Sequence, residues 1–382
     1  MANANPAAEL IRAHLAGGNR LSWQEVMNLA LYAPDAGYYR QGARRIGRSG
    51  DFFTSVSVGP VFGELLSLFC ARVWRSLGSP AGFTIVEQGA HDGTLAADLL
   101  RGLQKHEPRL AGFVRYGIIE PDEGLQAAQR TTLADWGDQV FHAPALSKLA
   151  ALPRHAVFLC NELLDAFPVH RVEFDAASGQ WRESFVEEGA GGLAFVEGDP
   201  ADAELRAELK RLPTEAPEGC VTEINTAMLQ WLHEVAQAPF AGTVLVMDYG
   251  YTMEEWLHSG NTKGTLCRYR QHQSDDRILE NLGECDLTSH VNFTRLAQEA
   301  ESLGLPILEF IEQGRFLTHA AAEILGNASP SPDATWLRQF QTLTHPGMMG
   351  RSFHALVLGK GEAAAGFSSL EKRAMSRRRL GL

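Results

Sequence analysis

Two glycines and three ionisable side chains are gathered in Thr84-Ile85-Val86-Glu87-Gln88-Gly89-Ala90-His91-Asp92-Gly93-Thr94-Leu95, between a short apolar run and a helical pattern. Gly89 and Gly93 permit positive φ and let backbone come close to a ligand. In an open α/β sheet, ligands bind outside the carboxyl ends of the strands, where such turns lie. A further acid, Glu120, ends the next apolar run, Tyr116 to Ile119. A carboxylate at that place can grip the two ribose hydroxyls of a nucleoside. The pattern fits a dinucleotide less well than a sulfonium nucleoside. The dinucleotide fingerprint G-x-G-x-x-G brings a pyrophosphate to the helix N-terminus. Here Ala90, His91 and Asp92 separate the glycines, and Asp92 would repel a pyrophosphate. S-adenosylmethionine carries no phosphate and has an amino group that an acid can accept. A tight strand–helix turn with no ligand is the plain alternative.

Asn161-Glu162-Leu163-Leu164-Asp165-Ala166-Phe167-Pro168 follows a wholly apolar run, Ala156 to Cys160. Carboxylates three residues apart share one face of a helical turn. Glu162 and Asp165 would then clamp a cationic guanidinium with bidentate hydrogen bonds, and one of them could accept a proton. The alternative is a helix N-cap at Asn161 with an acidic first turn. Gly47-Arg48-Ser49-Gly50-Asp51-Phe52-Phe53-Thr54-Ser55 has the composition of a lid over a cofactor, or simply of a loop. The 13 histidines form no H-E-x-x-H or close Cys/His pairing, so no metal site is expected. There is no G-x-S-x-G element and no P-loop.

The elements that must hold these residues alternate in a regular rhythm. Strands are expected at Phe83–Val86, Tyr116–Ile119, Val140–Phe141, Ala156–Cys160 and Gly242–Met247, with helices at Thr94–Leu103 and Gly124–Trp136. Short apolar strands separated by helices predict a parallel sheet covered on both faces. Residues 1–80 read as an N-terminal helical and lid segment, in which Phe62, Leu65, Leu66, Phe69, Val73 and Leu77 recur at helical spacing. The core is expected over 81–168 and 220–382, with an insertion at about 256–291 that is rich in Arg, His and Asp. Residues 169–219 read as an antiparallel insertion. Pro306–Glu312 and Phe353–Leu358 are expected to pair as the last strands. The basic tail, Glu371 to Leu382, reads as a solvated end.

Composition narrows the class. The 382 residues are 45% hydrophobic and 21% charged, with 34 basic against 46 acidic residues and a net charge of −12. That balance argues against non-specific nucleic-acid binding, and an acidic surface can steer a cationic partner towards a cleft. Five widely spaced cysteines without CxxC suit a reducing compartment. Neither a signal peptide nor a membrane-spanning run is evident, so a soluble, cytoplasmic protein is expected.

These segments, in this order, resemble the MidA-like methyltransferase family, which includes a mitochondrial complex I assembly factor that methylates an arginine. The resemblance runs from about Ser22 to Lys360. It rests on Tyr32-Ala33-Pro34-Asp35-Ala36-Gly37-Tyr38-Tyr39, Gly50-Asp51-Phe52-Phe53-Thr54-Ser55, Phe62-Gly63-Glu64, Asn161 to Val169 and Asp248-Tyr249-Gly250. Further matches are Gly264 to His272, Asp286 to Phe293, Gln313-Gly314-Arg315-Phe316-Leu317 and Met349-Gly350-Arg351-Ser352-Phe353. It implies a seven-stranded, doubly wound, Rossmann-like methyltransferase sheet with a substrate-facing antiparallel or irregular insertion and an N-terminal lid. It implies S-adenosylmethionine, lined by Gly50, Asp51, Thr54, Glu87, Gly89, Gly93 and Glu120. Asn161, Glu162 and Asp165 would face the acceptor as catalytic residues. His91, Val56 and Asn292 depart from the family's usual glycine, proline and aspartate. The expected partners are a protein carrying an arginine and, as a homodimer, a second copy of this chain. The rival expectations are a methyltransferase for a small metabolite and a non-catalytic assembly factor.

Overall fold

The apolar runs build one mixed sheet from β1 (Thr84–Gln88), β2 (Arg115–Ile119), β3 (Val140–Ala143), β4 (His155–Asn161), β5 (Ala241–Tyr251), β6 (Ile307–Glu312) and β7 (Phe353–Lys360). The computed structural model describes residues 5–40, 54–149, 154–200, 202–270, 273–327, 332–361 and 366–382. Along one hydrogen-bonded path the order is β6-β7-β5-β4-β1-β2-β3, and an eighth strand, Val291–Asn292, lies off this path. The five strands from β3 to β5 are mutually parallel, while β7 runs antiparallel between β5 and β6. After β1 the chain steps out to β2 and β3, then returns to the other side of β1 as β4. The order therefore reverses at β1, the place where such sheets bind ligands.

β4 shows why the centre is legible from sequence. Ala156 to Cys160 are all buried, as expected of a strand covered on both faces. Helix α1 (Val61–Ser76) lays its apolar stripe of Phe62, Leu65, Phe69 and Val73 into the core, together with α2 (Thr94–His106). Gly63 belongs to this contact, because a Cβ there would collide with the Cβ of Asp98 on α2.

The chain divides into two compact units. The sheet belongs to the unit made of Phe53–Leu163, Leu232–Glu254 and Asn292–Leu382; the other unit comprises Met1–Phe52, Leu164–Trp231 and Glu255–Val291. In the second unit, His170–Asp175, Gln180–Gly189 and Gly192–Gly198 form the expected antiparallel meander, with Val221–Ile224 and Leu21–Ser22 added at its sides. A three-stranded sheet, Gln273–Asp275, Cys267–Arg270 and Asp286–Thr288, organises the stretch that lacks periodicity in the sequence. Ion pairs hold it: the buried Arg268 guanidinium meets Asp275 at 2.6 Å and Glu280 at 3.4 Å. Helix Trp23–Tyr32 begins on a capping box in which Ser22 and Glu25 satisfy each other's backbone N–H.

The basic tail is not simply a solvated end. Leu370–Arg379 is helical and Leu380 is fully buried. Ser376 Oγ accepts the Phe310 N–H of β6 at 2.9 Å, and the Leu380 carbonyl accepts from Thr294 Oγ1 at 2.8 Å. The tail thus covers an edge strand whose backbone would otherwise be open. Among the described residues no helix is long and apolar enough to cross a membrane.

Candidate active site

The turn after β1 uses left-handed backbone three times in five residues: Gly89 and Gly93 at φ +83°, and His91 at φ +45°. Two of these positions carry the residue that adopts such angles without cost. His91 does not, and a side chain there adds roughly 1–2 kcal/mol of strain. The turn closes on itself through Gly93 N–H to the Ala90 carbonyl, 2.8 Å.

Asp92 occupies the mouth of α2, where its Oδ1 accepts the Thr94 N–H at 3.0 Å. Burial works to raise this carboxyl, but the adjacent His91 ring and the Thr94 hydrogen bonds outweigh it and hold Asp92 near 2. An ionised carboxylate therefore takes the place where a pyrophosphate would sit. Glu87, one strand residue before Gln88, is 2% exposed and receives the Tyr116 hydroxyl at 2.7 Å. Burial, helped by the Asp92 charge and opposed by the Tyr116 hydrogen bond, pushes Glu87 up to about 7.

Glu120 follows β2 directly and is buried. Its Oε1 accepts the Asp122 N–H at 2.8 Å, and Asp122 in turn caps α3 (Glu123–Thr132) through the Leu125 N–H. The carboxylate is thus fixed at the carboxyl end of the strand beside β1. These features fit a nucleoside with a cationic amino-acid tail: an acid at the ribose position, a glycine-bracketed turn, and buried acids in place of a phosphate cradle.

The carboxyl end of β4 carries a second group. Asn161 Nδ2 donates to Glu162 Oε1 at 3.0 Å, and the same oxygen accepts the Ser55 N–H at 3.0 Å. Glu162 stands at φ +50° and donates its own N–H to the Met247 carbonyl of β5. Ser55 begins the single-turn helix Ser55–Val58, capped by Thr54, whose Oγ1 accepts the Ser57 N–H at 3.1 Å. Asn161 is 9% exposed, and its Oδ1 has no hydrogen-bond partner among the described residues.

The expected helical turn carrying Glu162 and Asp165 on one face is not formed, because residues 162–168 are bends, turns and irregular chain. The left-handed backbone at Glu162 prevents a helix from starting there. Asp165 belongs to the other unit, where it is buried and its carbonyl accepts the Ser289 N–H at 2.8 Å. Within that unit Tyr32 donates to the Ala166 carbonyl at 2.9 Å. Burial, then Asp286 and Asp165, raise the Tyr32 phenol far above its ordinary range. Tyr32 stacks on Tyr39, which donates to Asp286 at 2.8 Å. Gly50 and Asp51 lie outside the described residues.

Other segments of the resemblance prove to be framework. Buried Glu223 accepts from Thr265 N at 2.9 Å, Thr265 Oγ1 at 2.8 Å and Leu266 N at 3.3 Å. Gly264 is at φ +76° beside it, where a Cβ would overlap the carboxylate. Two residues that matter at the turn were not singled out from sequence: Tyr116, which serves Glu87, and Gln129 on α3. Gln129 had a readable signal, since it interrupts an i, i+4 stripe between Leu125 and Leu133.

The sheet order, the turn at the reversal and the acid at Glu120 define a Rossmann-like α/β fold with a nucleoside-cofactor site. The chain belongs to the family described as "Putative S-adenosyl-L-methionine-dependent methyltransferase", whose model matches residues 65–311. It is a methyltransferase, and its cofactor is S-adenosylmethionine. "Protein arginine methyltransferase NDUFAF7 homolog, mitochondrial" of Drosophila melanogaster is 28% identical, over 94% of this chain and 86% of that protein. "Protein arginine methyltransferase NDUFAF7, mitochondrial" of Homo sapiens is 27% identical, over 87% and 79%. A crystal structure from Burkholderia thailandensis, a "likely methyl transferase" bound to S-adenosyl-homocysteine, superposes with a TM-score of 0.81 at 29% identity, covering 97% of this chain and 94% of that one. These findings bear out the family resemblance, the cofactor and the class of enzyme read from the motifs.

Proposed function

We propose that this enzyme methylates an arginine side chain of a partner protein. The observation that carries the reading is the length of the similarity: nearly the whole chain aligns with proteins named as arginine methyltransferases. The net charge of −12 suits a cationic acceptor. In this reading Thr54, Glu87, Gly89, Gly93 and Glu120 line the cofactor.

S-adenosylmethionine supplies an electrophilic methyl group on a positively charged sulfur. The protein's part is orientation. Glu162 fixes the Asn161 amide by accepting from its Nδ2, so the orphaned Oδ1 is left as a rigid acceptor for a guanidinium N–H. A buried acceptor without a partner costs free energy that a donor from the acceptor substrate would recover. Water takes the proton that the guanidinium gives up.

Peptide mass spectrometry of cells with and without the gene tests this function. Methylarginine lost from a protein on deletion, and restored by the wild type, is the expected result. An unchanged arginine methylome, or methyl transfer to a metabolite instead, overturns it. With the acceptor in hand, Asn161→Ala should lower kcat roughly 10²-fold while leaving S-adenosylhomocysteine binding within about twofold. An unchanged kcat removes Asn161 from the acceptor site.

A further inference from the structure

Gln313 opens the helix Gln313–Asn327 directly after β6 and is fully buried. Its Nε2 donates to the Leu343 carbonyl at 3.2 Å. That carbonyl lies in the last turn of the helix Ala334–Thr344, where backbone carbonyls lack partners within their own helix. A carbonyl can only accept, so the amide orientation is fixed, and Oε1 is the end that meets Ser55. It accepts the Ser55 hydroxyl at 3.2 Å. Ser55, also fully buried, donates its N–H to Glu162 Oε1, the oxygen that takes the Asn161 amide. One end of Gln313 is thus spent on a helix terminus and the other on the residue that grips Glu162. The helix Ala334–Thr344 holds the far side of the same segment, where Gln339 Oε1 accepts the Val61 N–H at 3.3 Å. Gly314 and Gly350 permit the close approach. A Cβ on either would collide with the Thr344 carbonyl oxygen, and the Gly314 N–H donates to the Gly350 carbonyl at 2.8 Å. Two stretches singled out in the sequence, around Gln313 and around Gly350, therefore build one clamp that the cofactor turn does not explain.

We infer that Gln313 is a positioning residue for methyl transfer: through Ser55 it fixes Glu162, and through Glu162 the Asn161 amide that orients the acceptor. The inference rests on the acceptor role proposed for Asn161. Glu162 needs such a clamp. Its φ of +50° is strained for a residue with a side chain, and strained backbone persists only where its surroundings over-determine it. The link is mechanical. It passes through the Ser55 backbone, from hydroxyl to N–H, so it carries position and no proton.

The test is a double-mutant cycle on the rate of methyl transfer. Extract of cells lacking the gene supplies unmethylated acceptors, and label from methyl-tritiated S-adenosylmethionine at saturation is read as methylarginine after hydrolysis. Gln313→Met removes both hydrogen bonds at nearly constant volume. It should slow transfer roughly tenfold, since a misplacement of about 1 Å can cost about 10²-fold. Affinity for S-adenosylhomocysteine, by calorimetry, should stay within about twofold of wild type. Ser55→Ala removes the hydroxyl and keeps the N–H to Glu162; it should slow transfer by a similar factor, and the double variant should be no slower than either single one. Gln313→Glu keeps an acceptor for Ser55, and its buried acid, held neutral by desolvation, still donates to Leu343, so it should regain most of the rate. If the two single effects multiply, or S-adenosylhomocysteine binding falls as far as the rate, Gln313 is framework and the inference fails. Should Gln313→Met not fold, an undiminished rate in Ser55→Ala overturns it alone. No methylarginine from the wild type removes the function that the inference rests on, a result that the wild-type control separates from the others.

Discussion

Replacing Glu64 by alanine is expected to cost about 3 kcal/mol of stability at pH 7, the usual result of removing one member of a buried charged network. Glu64 lies on α1 and is 8% exposed. Its carboxylate accepts from His106 Nε2 at 2.6 Å, Lys105 Nζ at 2.7 Å and Trp336 Nε1 at 2.8 Å. It therefore joins α1 to the end of α2 and to the helix Ala334–Thr344. Without it the indole N–H loses its one acceptor among the described residues. Lys105 is largely exposed, so its share is small. Burial works to raise the Glu64 carboxyl, yet the hydrogen bonds from His106, Lys105 and Trp336 bring it down from 4.5 to about 2. A carboxyl lowered in the folded state adds stability that is complete above its unfolded value and is lost as pH falls towards the folded one. The wild type should lose this contribution between about pH 4.5 and 2, and Glu64→Ala should show a flatter acid limb. Urea unfolding at pH 7 and pH 3.5 measures both. Stability within 0.5 kcal/mol of wild type at pH 7, a margin about the size of a neutral surface change, would contradict the role.

Glu87→Gln should act with the opposite sign. Burial first, then the Asp92 charge, raise this carboxyl to about 7, above its ordinary 4.5. The native state keeps the proton that the unfolded chain gives up between those values. Stability therefore falls as pH rises from 4.5 to 7, and the cost persists above 7. At 1.36 kcal/mol per unit the cost is on the order of 3 kcal/mol. The amide is neutral and can still accept from Tyr116. It should be more stable than wild type by that amount at pH 8 and nearly equal at pH 4.5. A stability difference that is the same at both pH values would show that Glu87 does not titrate with folding.

Sequence and structure agree most closely where apolar burial alone decides the conformation. β1, β2 and β4 were readable because a strand covered on both faces is an unbroken apolar run. Their polar last residues, Gln88 and Asn161, fell outside the expected bounds, yet both continue the ladder. β5 runs on through Asp248, Tyr249 and Gly250, a stretch that resembles a loop in composition but in which Asp248 and Tyr249 pair with β7. The strands of 267–288 were hidden because ion pairs, not periodic burial, organise them. Glu162 and Asp165 were placed on one helical face by their spacing alone. Nothing in the letter Glu announces a left-handed backbone, which is rare for that residue. Gln129 shows the reverse case: its position was visible, but its meaning came only with the His91 carbonyl to which its Nε2 donates.

The strand that closes the sheet is made after the other six strands of the path. β7 lies between β5 and β6, and the tail helix that seals β6 follows it. Translation from the end of β5 to the start of β7 takes roughly 5–20 s at typical speeds of about 5–20 residues per second. For that time β5 waits with one side unpaired while the parallel half of the sheet is already complete. A nascent chain of this protein is therefore a half-sheet with an open flank, and the cofactor turn beside β1 can mature before the far edge exists.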